Sequence, residues 1–187
     1  QAALNIQEKL ARENPNVTKY AADAAASHDN LGILQHVLGK PDDALTSFQA
    51  ALKIHEKLAR ENPSVIGHAI DLGGNYCNLG ILVGETTGPR QSLPWFDQAI
   101  ATLERPANLD ATGRQSLRNA RWGRGKSLAL LERLEEAVVD YDAALKLDDG
   151  PKSAAIRQER AAVLAKKAAK AKSVGKSPNR FPTGENK

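Results

Sequence analysis

The sequence predicts an all-α fold, a solenoid of antiparallel helix pairs. Three observations carry that prediction. First, the 187-residue chain repeats at a spacing of 48: Ala3 to Val17 (ALNIQEKLARENPNV) and Ala51 to Val65 (ALKIHEKLARENPSV) agree at twelve of fifteen positions. The register holds beyond that segment, with Asn30 to Leu34 matching Asn78 to Leu82 and Phe48 matching Phe96. A period of this size marks a stacked array, which presents a long binding surface rather than a catalytic pocket. Second, apolar residues recur at helical spacing, and Pro, Gly and Asn clusters divide them into segments. Third, aromatics make up only 4% of the chain, and alanine is abundant, which suits close helix packing.

The elements follow in order. A first helix runs over Ala2 to Glu13, with Leu4, Leu10 and Ala11 as its apolar stripe. Asn14-Pro15 ends it, because a residue before proline is pushed out of the helical region. The second covers Val17 to Leu38 and stops at Gly39, a residue suited to the left-handed turn that closes a helix. Pro41 opens the third, which reaches Glu61, since proline at the first helical position loses no hydrogen bond. Asn62-Pro63 repeats the earlier stop, and Ser64 is the expected N-cap of the next helix. Helices are then expected over Val65–Val83, Pro89–Glu104, Ala111–Leu131, Leu134–Leu147 and Lys152–Lys172. The segment from Ser173 to Lys187 is polar and turn-rich and reads as a disordered tail.

Within this pattern Leu31-Gly32 is followed by Ala44, Phe48 and Ala51. Leu79-Gly80 is followed by Ser92, Phe96 and Ala99, and Gly125 by Ala137, Tyr141 and Ala144. Each glycine precedes its small residue by 12 positions. The arrangement resembles the tetratricopeptide repeat. The resemblance implies a right-handed superhelix with an incomplete unit at 1–16 (its helix B alone), units at 17–64, 65–109 and 110–151, a basic capping helix at 152–172 and a tail at 173–187. It departs from the family in length, 48 rather than about 34 residues, and the extra turns are expected around the Asn-Pro junctions. Arg121 and Arg124 also stand where an aromatic and a leucine are usual. The EKLARENP junction is similar to long-repeat arrays beside bacterial serine/threonine kinase domains. No Gly-rich loop, HRD or DFG signature of a kinase is present here.

In that family helix A lines the concave face. The resemblance therefore places Asp29, Ile33 and His36, then Cys77, Asn78 and Ile81, then Trp122, Lys126 and Ala129 on it. Arg114, Arg118, Arg121 and Arg124 follow helical steps and form one basic stripe, read either as a grip on the carboxylates of an acidic peptide or as a solvated face balancing the acidic helix with Glu132, Glu135, Glu136, Asp140 and Asp142. The expected partner is a protein or peptide segment. Self-association through the open face of the first helix is a second expectation. Gln1 and the absence of Met predict a piece of a longer protein.

Residues 152–187 carry ten basic and two acidic side chains, net +8, which leaves the first 151 residues at −4. The basic end is expected to cap the array. It lacks interleaved aromatics for base stacking, so nucleic acid is disfavoured, though contact with nucleic acid or anionic membrane is the weaker alternative. A lone Cys77 forms no intramolecular disulfide. Gly123 to Ser127 (GRGKS) lacks the first glycine of a phosphate loop, and the four histidines lack metal-binding spacing. We expect no enzyme activity, cofactor, metal or small-molecule substrate. No apolar run approaches the roughly 18 residues that span a bilayer. A cytoplasmic location is expected, or an extracytoplasmic one if the parent is a membrane-spanning kinase.

Overall fold

Asn14 and Asn62 show how the chain sets its own boundaries. Each side-chain amide donates to the carbonyl four residues back, Leu10 at 3.0 Å and Leu58 at 3.1 Å, and each backbone N–H bonds the same carbonyl. Pro15 and Pro63 then forbid another turn, and Val17 and Val65 bond back to the Asn carbonyls. The same connector is thus built twice from the same residues. Ser64 is not the N-cap that the sequence suggests. Val65 holds that position with no side-chain hydrogen bond; its N–H turns back to the Asn62 carbonyl, and its own carbonyl accepts from His68.

The computed structural model describes residues 2–147 and 152–174, and among these it is all-helical. The helices are α1 (Ala2–Glu13), α2 (Thr18–Val37), α3 (Pro41–Glu61), α4 (Ile66–Thr86), α5 (Pro89–Leu103), α6 (Ala111–Leu130), α7 (Leu134–Leu145) and α8 (Lys152–Val174). Most boundaries fall within two residues of the sequence expectation; α4 runs three residues further. Helices α2, α3 and α4, of 20, 21 and 21 residues, flank the Asn-Pro junctions, but α6 also reaches 20 with no such junction beside it. Ser173 and Val174 belong to α8, and the rest of the expected tail lies outside the described residues.

Each helix packs on the next in sequence. The even-numbered helices also touch one another (α2 on α4, α4 on α6, α6 on α8), whereas no two odd-numbered helices meet among the described residues. The even helices therefore share one face. Within each pair a glycine is the joint: a Cβ added at Gly32 would lie 2.7 Å from the Phe48 ring, one at Gly80 2.7 Å from Phe96, and one at Gly125 3.3 Å from Tyr141. All three glycines precede their aromatic by 16 residues. A side chain there would separate the helices by the width of a methyl group, so glycine sets the close approach.

A second repeated contact ties each pair to the next. Glu8 of α1 meets His28 of α2 at 3.0 Å, and Glu56 of α3 accepts from the Tyr76 hydroxyl of α4 at 2.9 Å. Glu104, at the end of α5, pairs with Arg121 of α6. The three glutamates are spaced 48 apart, so one position does the same job with three different partners. Burial and the Glu56 bond push the Tyr76 hydroxyl up to about 12. Among the described residues α1 packs on α2 alone, which leaves Ile6 60% exposed.

The turn from α6 to α7 places Glu132 at φ 61, where the first unit has Gly39 at φ 69. A non-glycine residue here costs about 1–2 kcal/mol. Its carboxylate binds Lys166 and Lys170 of α8, and those bonds draw it from an ordinary value near 4.5 to about 2. Its folded-state value lies below its unfolded one. The stabilisation is therefore complete above about pH 4.5 and is lost as pH falls toward 2. We expect Glu132→Gln to flatten the fall in thermal midpoint between pH 4.5 and 2. Parallel curves for variant and parent would show that this clamp contributes nothing.

Candidate binding face on the even-numbered helices

The glycine joints fix how each even helix is rotated, so equivalent positions line up across α2, α4 and α6. One residue after each glycine stand Ile33, Ile81 and Lys126; five after stand Val37, Glu85 and Leu130. Ile81, Glu85, Lys126 and Leu130 share the wall of a cavity of about 250 Å³ between α4 and α6, floored by Phe96. Val37 is 77% exposed and Leu130 72%, and Ile33 is also exposed. Aliphatic side chains left in water at corresponding places along one face form the kind of surface that binds a partner. His36 crosses the same face, its Nε2 lying 2.8 Å from Glu85.

Trp122 is half-buried against α8, its indole N–H donating to Glu159 at 2.7 Å. The Lys126 ammonium lies 5.6 Å from the Trp122 ring centroid, a cation–π distance. Lys126 forms no ion pair among the described residues. Ala129 and Leu130 continue the surface into a second hollow of about 330 Å³ between α6 and α8. Asn78 is half-buried on α4.

Of three expected surface positions, two are buried and the third, Asp29, is turned partly into the packing. Cys77 is buried. Asp29 accepts from His55 at 2.8 Å and from the Asn75 amide at 2.6 Å, closing a polar cluster between α2, α3 and α4. Asn75 also donates to the Phe48 carbonyl at 3.0 Å. His55 and Asn75 are enclosed, so the Asp29 carboxylate satisfies groups that water cannot reach. Arg118 is 4% exposed, although it was expected to meet a ligand.

The rest of the arginine stripe points the same way. Arg121 donates to Asp140 at 2.8 Å. Arg124 reaches Asp140 at 2.6 and 2.8 Å and Asp97 at 2.6 Å. Every one of these carboxylates sits on or beside an odd helix, so the stripe faces away from the even-helix surface. Its role is to join α6 to α5 and α7. The bonds from Asp140, then Asp97, hold the Arg124 guanidinium still more firmly protonated than usual. Arg114 stays exposed and folds onto the Leu109 carbonyl at 2.7 Å, in the segment before α6.

Sequence reasoning missed Glu85 and Leu130 and read Asp140 as one of several solvated acids opposite the arginines rather than a buried one, and each left a signal. Ala137, Tyr141 and Ala144 mark the buried stripe of α7, and Asp140 lies on it at helical spacing. An acid there demands a buried cation. Glu85 and Leu130 follow from carrying Val37 through the repeat. The Gly123 to Ser127 segment lies inside α6, where its N–H groups serve the helix rather than a phosphate.

No family model matches the chain, and no curated protein sequence matches it. The crystal structure of BtubC (BKLC) from P. vanneervenii matches in shape. The TM-score is 0.54 at 18% identity, over 99% of this chain and 80% of that one. At that identity the likeness concerns the helical fold. No described helix is long and apolar enough to cross a membrane.

Proposed function

We propose that the chain is a tetratricopeptide-type solenoid, with no catalytic role, that holds a peptide or protein segment on the concave face formed by its even helices. The observation that carries this reading is the exposed aliphatic pair Val37 and Leu130 at one register position of α2 and α6, with Ile33 exposed one turn before Val37 and Leu130 beside a cavity. The 16-residue glycine–aromatic joints and the contacts between even helices support the curvature: helices that touch on one side and splay on the other wrap a groove. Such grooves are largely preformed, so a few anchor residues supply most of the affinity. A recruitment role beside a kinase domain rests on the EKLARENP resemblance alone. For the basic end, Lys166 and Lys170 are paired with Glu132 and Lys167 with Glu135, which favours a capping role over nucleic acid or membrane.

The test is selection from a displayed library of random 12-residue peptides on the purified protein. Enriched peptides should bind at least about tenfold more weakly to Ile33→Asp and Leu130→Asp, because one lost anchor is worth about 1.4 kcal/mol or more. Both positions are exposed, so the variants should retain the parent circular dichroism spectrum. A selection that enriches nothing, or binding indifferent to both variants, would remove this reading.

A further inference from the structure

We infer that the cavity between α4 and α6 seats one bulky apolar side chain of the bound segment, with an acidic residue on one flank of that anchor and a basic residue on the other. This rests on the peptide-binding reading above and adds the chemistry of the ligand. Gly80, Gly84 and Gly123 place no side chain over the hollow, so its floor is the Phe96 ring and its walls are Ile81 and Leu130. At about 250 Å³ it falls below the roughly 300–1,000 Å³ of pockets that enclose whole small molecules. The fit is to a side chain of leucine or phenylalanine size.

The mouth is charged with opposite signs on its two sides. Lys126 stands on the α6 side without an ion pair among the described residues, leaning over Trp122. Glu85 stands on the α4 side; its side chain is 63% exposed, and His36 is its partner there. The corresponding places on α2 are Ile33 and Val37, so this polarity belongs to the α4–α6 gap. A ligand with two acids beside the anchor would meet Glu85, and one with two bases would meet Lys126. Like charges so placed weaken the wrong ligand as much as opposite charges favour the right one.

The experiment repeats the library selection on the parent, on Lys126→Glu and on Glu85→Lys. Both changes lie at the solvent edge and leave the helix joints intact. The parent should enrich a large apolar residue with one acid and one base within about four residues of it. Lys126→Glu should shift the flanks to two bases, and Glu85→Lys to two acids. Synthetic peptides from each set should prefer their own protein by about tenfold in Kd. Enrichment with the same flanking charges on all three proteins overturns this inference and leaves the binding face standing. No enrichment on any of them overturns the binding face and the inference with it.

Discussion

Replacing Asp140 by alanine should lower the unfolding free energy by about 3–5 kcal/mol, a large share of the roughly 5–15 kcal/mol of an ordinary domain. Asp140 is 1% exposed and accepts three hydrogen bonds from Arg121 and Arg124. Without it two largely covered guanidiniums lose their buried counter-charge. Asp97 and Glu104 are about half exposed and cannot reach inward to replace it. Arg133→Ala breaks only an exposed pair with Glu136 and should leave the denaturant midpoint close to that of the parent. Denaturant midpoints for the two variants decide the matter, and an Asp140→Ala protein within 1 kcal/mol of the parent would refute it.

The repeat also supplies a repair. One unit earlier, the positions of Arg121, Arg124 and Asp140 are held by Tyr76, Leu79 and Trp95. There the Tyr76 and Trp95 rings lie 6.3 Å apart, and Trp95 packs on the core that contains Leu79. The third unit has thus replaced an apolar cluster with an ionic one at the same joint. Buried ion pairs exchanged for packed apolar groups are often neutral or stabilising. The combined Arg121→Tyr, Arg124→Leu, Asp140→Trp protein should therefore recover most of what Asp140→Ala loses.

The second large effect is expected at Gly123. By helix propensity, Gly123→Ala should gain about 1 kcal/mol. Its Cβ would lie 2.5 Å from the Phe96 ring, and that ring already stands where a Cβ on Gly80 would be 2.7 Å away. Gly80 stops the ring from retreating toward α4, so relief would require Phe96 to leave its seat between the two glycines. The overpacking should win, for a net loss of about 1–3 kcal/mol. Gly74→Ala, whose Cβ meets nothing closer than the Ser116 hydroxyl at 3.6 Å, should instead gain about 0.5–1 kcal/mol. Phe96→Leu combined with Gly123→Ala should be less damaging than the two separate losses added together, because both act through one space. Strict additivity would mean that the ring and the glycine do not share it.

The helices and their joints were legible because their causes are local. Asn-Pro stops, Pro41 and Pro89 starts, and the 16-residue glycine–aromatic spacing act within one helix or between neighbours, so the pattern of residues contains the answer. That Ile33, Ile81 and Lys126 each follow the joint glycine by one residue was also visible in the sequence, but that they share a concave face came from the family resemblance. The fate of the charges was not local. Asp29 is held by Asn75, 46 positions away, and Trp122 meets Glu159 across 37. The arginine stripe could be drawn on a wheel, yet the wheel says only that four cations share a side. Which neighbour covers that side, and whether it brings a carboxylate, depends on how the third helix pair sits on the second. The sequence by itself determined where the chain turns and which residues can stand together. Only the packed structure decided which charges are consumed inside the protein, because burying an ion requires a partner at hydrogen-bond distance, and that distance exists only once the helices have met.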